Sequence, residues 1–322
     1  MSQADAHIYF AKMDIGMNDP KITVVINTYN HSQYIGRAIH SVLAQTFRPW
    51  EIIVVDDGST DGTADEVRRE FGDQVRYWYH ANSGISNSRN VGIQLSSGSW
   101  IAFLDSDDFW MPEKLASQVE AIKSKPTVAM VVCDGVECTP DGSVLDELRL
   151  PYPLTRDVIR SRLRSRCTFT TSAVVIQRDV LIQAGGFPAD LMFGEDWVTF
   201  ARIAASYEIV AVHRPLFSKT QLQEGLSSQP QLALRDGLIC LKRCKQALAS
   251  HKWPQSWQDG VVFRQSEAQL FLHTAWIYGK RRERSKAIST LLKGLVRWPF
   301  LTFRQYRSIY WLWTQLLRRN TA

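Results

Sequence analysis

Three stretches decide how this chain folds: KITVVINTYN from Lys21 to Asn30, EIIVVDDGSTDG from Glu51 to Gly62, and WIAFLDSDD from Trp100 to Asp108. Each opens as a short apolar run rich in β-branched residues and ends abruptly in polar ones. Between the first two lies a helix-length segment, about 34–45, with Ile35, Ile39, Val42 and Leu43 at helical spacing. Further strands are expected at Val75–His80 and Val128–Asp134, and further helices near 65–71, up to Leu95 and after Pro112. Strands with no alternating polar face are buried on both sides, so this alternation specifies an α/β fold with a mostly parallel sheet flanked by helices.

In such sheets ligands bind beyond the carboxyl ends of the strands. Here those ends carry Asn27-Thr28-Tyr29-Asn30, Asp56-Asp57-Gly58-Ser59-Thr60-Asp61 and Asp105-Ser106-Asp107-Asp108. Carboxylates gathered at one edge repel and raise each other's pKa unless a cation or hydrogen-bond donors compensate. Oxygen-rich crowding of this kind suits a hard divalent cation, Mg²⁺ or Mn²⁺. Ser59, Thr60 and Asp61 fit a turn and helix cap equally well.

Charge divides the chain unevenly. Residues 1–230 hold 21 Lys+Arg and 28 Asp+Glu, net −7, whereas residues 231–322 hold 17 and 4, net +13. A uniformly basic nucleic-acid coat is thereby excluded, and an acidic or neutral working domain with a cationic attachment is expected. Cys133, Cys138, Cys167, Cys240 and Cys244 form no C-x-x-C pair and no disulfide framework, which fits a reducing compartment. The start, MSQADAHIYFAKMD, has no signal-peptide pattern and no run approaches a membrane span, so a cytoplasmic location is expected.

Taken in order, VVINTYN, SVLAQTF, EIIVVDDGSTDGT, NSGISNSRNVGI, GSWIAFLDSDDFW and AGGFPADLMFGEDW, within residues 21 to about 215, resemble a family 2 glycosyltransferase. The resemblance implies a GT-A type Rossmann-like fold and an inverting, metal-dependent transfer of sugar from a nucleotide donor, UDP-sugar by default. It places the nucleotide at Asn27, Thr28, Tyr29 and Asp57, and the D-x-D element at Asp105-Ser106-Asp107, with Asp105 near the ribose and Asp107 on Mn²⁺ or Mg²⁺. Asn27 stands where many relatives have proline. Arg89 matches a position that reaches base or phosphates, and reads equally as a helix-surface ion pair. The family's E-D element falls on Glu195-Asp196-Trp197: Asp196 as the base that takes the acceptor's proton, Glu195 and Trp197 as acceptor-orienting or supporting groups. The implied acceptor is a saccharide or lipid-linked glycan of a cell-surface polysaccharide.

Weaker signals remain. His213 after EIVAV could reach a metal or be structural, and the five arginines from Arg156 to Arg166 could meet diphosphate or form a solvated face. Asp141-Gly142 reads as a hairpin turn. The chain divides at composition shifts into an extension, 1–20, an α/β domain, 21–230, and a basic helical region, 231–322. In the last, Ile288, Leu291, Leu292 and Leu295 share one helical face; beyond Pro299, Tyr306 to Leu317 forms another helix, with Trp, Tyr and Arg in the pattern of either an interfacial membrane helix or ordinary core. Two other classes fit parts of the chain: a catalytically silent sugar-nucleotide or glycan-binding subunit, and an Mg²⁺-dependent phosphoacceptor domain using Asp56, Asp57 and Asp105.

Overall fold

The computed structural model describes residues 19–222, 229–249 and 257–298, and side chains are described for those except 257–262. Nine strands form one sheet: β1 Ile22–Thr28, β2 Glu51–Asp56, β3 Arg76–Tyr79, β4 Trp100–Asp105, β5 Phe109–Trp110, β6 Val128–Cys138, β7 Val144–Leu148, β8 Val175–Gln177 and β9 Glu208–Thr220. Their spatial order is β3-β2-β1-β4-β8-β6-β9-β5, with β7 hairpinned onto β6. The first four are mutually parallel, β8 runs antiparallel to both β4 and β6, and β6 pairs in parallel with β9. The sheet is therefore parallel in the half formed by β1 to β4 and mixed beyond. Gly142, in the β6–β7 turn, has φ +90°, as the Asp-Gly reading expects.

Strand parity divides the core. In β1, Val25 joins one cluster with Ile101 and Phe103 of β4, whereas Ile22, Val24 and Ile26 join the opposite one with Ala102 and Leu104. Helices α1 Ser32–Leu43, α2 Thr63–Phe71 and α4 Lys114–Ser124 cover the second face. The first is covered by α3 Ile85–Leu95, α5 Arg156–Leu163, α6 Arg178–Gln183 and α7 Glu195–Ser206. Every β1 residue is buried, the physical reason its sequence shows no polar alternation.

Beyond residue 229 the described chain is helical: α8 Pro230–Ala249, α9 Trp257–Lys280 and α10 Arg284–Arg297. Cys240, Leu241, Cys244 and Leu248 of α8 belong to the same core cluster as Trp197 and Phe200, so the boundary that composition draws at 230 is not a boundary in packing. The expected helix after Pro299 lies outside the described residues. The shared face expected for Ile288, Leu291, Leu292 and Leu295 is split: Leu291 is buried, while Ile288 and Leu292 are exposed.

One close approach fixes how α3 lies on the sheet. A Cβ on Gly92 would stand 2.4 Å from Val25 Cγ1, inside contact distance, so helix and strand meet here without side-chain separation. Gly92→Val is expected to cost at least about 1–3 kcal/mol through overpacking, read as a lowered urea midpoint with unchanged slope.

Candidate active site

The carboxyl ends of β1, β2 and β4 lie side by side, with Asn27 opposite both Val55 and Asp105 in the register. Asn27 and Thr28 are almost fully buried, yet Asn27 Oδ1 and Nδ2 and Thr28 Oγ1 have no hydrogen-bond partner. Unsatisfied buried polar groups are costly, and three of them at these strand ends single the edge out as a candidate binding site. Tyr29, next in the chain, is half exposed.

The Asp56-to-Asp61 loop resolves into anchors. Asp56 is fully buried and accepts from Ser59 N at 2.7 Å and from the Tyr77 hydroxyl, which removes it from any phosphoacceptor cluster. Asp57 accepts the Ser83 and Gly84 amides at 2.7 and 2.9 Å, so it holds the loop entering α3. Gly58 permits this: its φ is +85°, and a Cβ there would meet Asn82 N at 2.7 Å. Asp61 caps α1 through Ser32 N at 2.9 Å, and Asn30 exchanges hydrogen bonds with Ser59 and Thr60. The turn-and-cap reading therefore holds for Ser59, Thr60 and Asp61.

After β4 the acidic residues part company. Asp105, its side chain 30% exposed, receives Arg89 Nη2 at 2.7 Å. Asp107 is half-buried, with its backbone carbonyl held by Arg37 Nη2 at 3.0 Å and by the Thr220 hydroxyl. Burial and the neighbouring Asp105 charge push the Asp107 carboxyl above its ordinary range. Asp108 is buried, accepting from Ser172 Oγ at 2.6 Å and Thr220 N at 2.9 Å, and burial raises its pKa well above normal. Asp105 and Asp107 thus face the edge, while Asp108 locks the loop. Their oxygens are the donor type that Mg²⁺ or Mn²⁺ prefers. Among the described residues no group of three or more His, Cys, Asp or Glu could hold an ion alone, so a cation here would take further oxygens from water or a ligand.

Arg89 is not a surface residue. It is buried on α3, with Nη2 on Asp105 and Nη1 on Glu195, and its Nε has no partner. Glu195 and Asp196 open α7. Burial pushes Glu195 up to about 7 despite Arg89, and raises Asp196 as well. Asp196 Oδ2 accepts from Thr171 Oγ1 at 3.3 Å. Trp197 is buried and its indole N–H donates to Leu163 O at 2.6 Å, which fits the supporting role among those the sequence left open.

Several contributors carry no signal in the sequence. Thr171 holds Asp196, while its neighbour Ser172 holds Asp108 and accepts the Asp105 amide at 3.2 Å, so one short turn supports both carboxylate groups. Asp236 of α8, fully buried, accepts the Met192 and Phe193 amides at 3.0 and 3.1 Å, just before α7. His31 Nδ1 lies 2.8 Å from Ser106 Oγ. By contrast His213 lies 3.8 Å from Asp134 within β9, whereas it is Thr220, at the end of that strand, that reaches Asp107. Among the five arginines, Arg160 is buried and caps the far end of α7 through Ala204 O and Ala205 O, which is neither a solvated face nor a diphosphate contact.

Comparison with known proteins now has a geometry to refer to. The family model described as glycosyl transferase family 2 matches residues 23–185. A glycosyltransferase of Nostoc sp. is 34% identical over 184 residues, 55% of this chain and 56% of its own length, so the match spans little more than half of that relative. TuaG of Bacillus subtilis, a teichuronic acid biosynthesis glycosyltransferase by name, is 26% identical over 80% of this chain and 93% of its own. In fold, a mannosyltransferase of Pyrobaculum calidifontis in complex with GDP-Man and Mn²⁺ aligns with TM-score 0.56 at 20% identity, over 97% of this chain and 90% of that one. The S. aureus TarS fragment 1-349 in complex with UDP gives 0.54 at 18%, over 89% and 91%. The expected GT-A type fold is thereby met.

Two outcomes are expected. Ser172→Ala removes a donor from the buried Asp108 and should cost about 1–3 kcal/mol in urea unfolding. Glu195, raised to about 7 from an ordinary 4.5, binds its proton more tightly folded than unfolded. Its contribution is therefore complete below the unfolded value and is lost as pH rises through the folded one. Urea midpoints across that window should fall with pH in the wild type and fall less in Glu195→Gln.

Proposed function

The chain belongs to glycosyl transferase family 2, and from that membership and the site geometry we propose that it moves a sugar from a nucleotide-diphosphate donor, a UDP-sugar by preference, to a hydroxyl of a saccharide or lipid-linked glycan in cell-surface polysaccharide synthesis. The observation that carries this is the Arg89 bridge, which brings the D-x-D strand end and the Glu195-Asp196 turn into one cluster. UDP in the TarS complex and the polysaccharide named for TuaG support donor and acceptor class.

In this reading the base and ribose occupy the edge lined by Asn27, Thr28, Tyr29 and Asp105, where the unpartnered buried atoms lie. Asp57 serves by holding the adjoining loop. Asp107 would hold Mn²⁺ or Mg²⁺, which when bound with the diphosphate stabilises the charge developing on the leaving group. Asp196 takes the proton from the acceptor hydroxyl as its oxygen forms the new bond to the anomeric carbon. The sugar–phosphate bond breaks on the opposite side, its electron pair leaving on the nucleoside diphosphate, and configuration inverts. The raised Asp196 pKa makes that carboxylate a better proton acceptor once ionised. Arg89 keeps Glu195 and Asp105 apart and fixed while this happens. The enzyme works on the cytoplasmic side, against the inner face of the membrane that carries its acceptor.

Calorimetric titration with UDP, GDP, dTDP and CDP, with and without Mn²⁺, tests the donor half. One nucleotide should bind in a metal-dependent manner, and Asp107→Ala should abolish the dependence. Asp196→Asn should keep nucleotide affinity and lose turnover by roughly 10²–10⁴-fold. Undiminished turnover in that variant removes Asp196 as the base, and nucleotide binding with no turnover in the wild type points to a silent binding subunit.

A further inference from the structure

Helix α10 has an apolar arc wider than the part it buries. Its inner side, Ala287, Thr290, Leu291 and Gly294, is buried, and Ala287 and Leu291 pack with Ala275 and Tyr278 of α9. Its outer side carries Ile288, Leu292 and Val296, which are 38%, 57% and 84% exposed. Residues four apart on a helix advance by about 40°, so these three form one continuous ridge. A surface helix normally turns polar residues outward, and one whose apolar arc runs past its buried face has a further apolar or amphipathic neighbour.

What flanks the ridge says what that neighbour is. Lys293 and Arg297 line the same groove, and Arg281, Arg282, Arg284 and Lys286, just before and at the start of the helix, are exposed. From 281 to 298 the single acid is Glu283, already paired with Lys286 at 2.7 Å. Residues 299–322 carry four arginines and no acid, so laying them over the ridge would bring like charges together, as would a second copy of this face. An anionic bilayer accepts both parts at once: apolar side chains enter the boundary between headgroups and acyl chains, and the flanking cations meet the headgroups. No helix among the described residues is long and apolar enough to cross a membrane, so contact through α10 is peripheral.

We propose that the outer face of α10, with Ile288, Leu292 and Val296 as its apolar ridge and the surrounding Lys and Arg as its rim, is a docking surface for an anionic lipid bilayer. The inference rests on the membrane-side placement proposed above and assigns it to one helix face.

Flotation of the full chain with vesicles tests it. Wild type should float with phosphatidylglycerol–phosphatidylcholine vesicles, bind phosphatidylcholine alone about tenfold less, and be released at about 0.5 M salt. The double variant Leu292→Glu/Val296→Glu should lose about tenfold in anionic-vesicle binding, and Lys293→Glu should weaken binding and flatten its salt dependence. Nucleotide titration of these variants should match wild type, which establishes folding and separates failure here from failure of the transferase reading. Wild type that stays with the pellet, a double variant that floats like wild type, or a double variant whose only change is a smaller mass at sedimentation equilibrium would each overturn the proposal, the last by showing a second copy on the ridge.

Discussion

One buried guanidinium organises this molecule. Arg89 lies where two acidic groups that would repel each other converge, and it donates to a carboxylate of each. A buried ion pair contributes little net stability against well-packed apolar side chains, yet breaking one leaves an uncompensated charge, so its value lies in fixing a geometry. Here the geometry joins α3, the end of β4 and the start of α7. Phe187 packs near the guanidinium, 5.4 Å from its ring centroid, and excludes water from one side. Fixed charges in a partly dry cleft stabilise developing charge without having to reorganise, which is what transfer of a sugar from a diphosphate demands.

A second constraint acts through hydroxyls. Thr171 and Ser172 are neighbours in sequence but serve opposite halves of the cleft, one the proposed base and the other the loop of Asp105 and Asp108. The Trp110 indole donates to Ser172 O at 2.8 Å and Gln118 Nε2 to Ala173 O at 2.9 Å, so the turn itself is pinned from beneath. Movement of one half therefore strains the other.

Much of this was legible in the sequence, and the limits follow from physics. Strand runs and their polar ends are local patterns, so β1, β2 and β4 and the edge they share could be read directly. Asp105, Asp107 and Asp196 stand out in the sequence because acidic residues gather at strand and helix ends there. Asp56, Asp57 and Asp108 look identical in the sequence, and only the amides and hydroxyls brought by distant segments, Ser83, Tyr77, Ser172 and Thr220, reveal them as anchors. Arg89 could be read as ligand-facing or as a surface pair because burial of α3 depends on loops more than a hundred residues away. In α10, periodicity showed an apolar face but not which arc of it would meet α9.

The support given by α8 sets apart the two sides of the cluster. Pairings among β1 to β4 involve only residues 22–105, one continuous stretch of chain. The turn bearing Glu195 and Asp196 is completed from further along the chain, by Asp236 on the preceding amides and by Cys240 against Gly194 O. A chain cut short before α8 would retain the residues of every pairing among β1 to β4 and lose these three contacts to the turn.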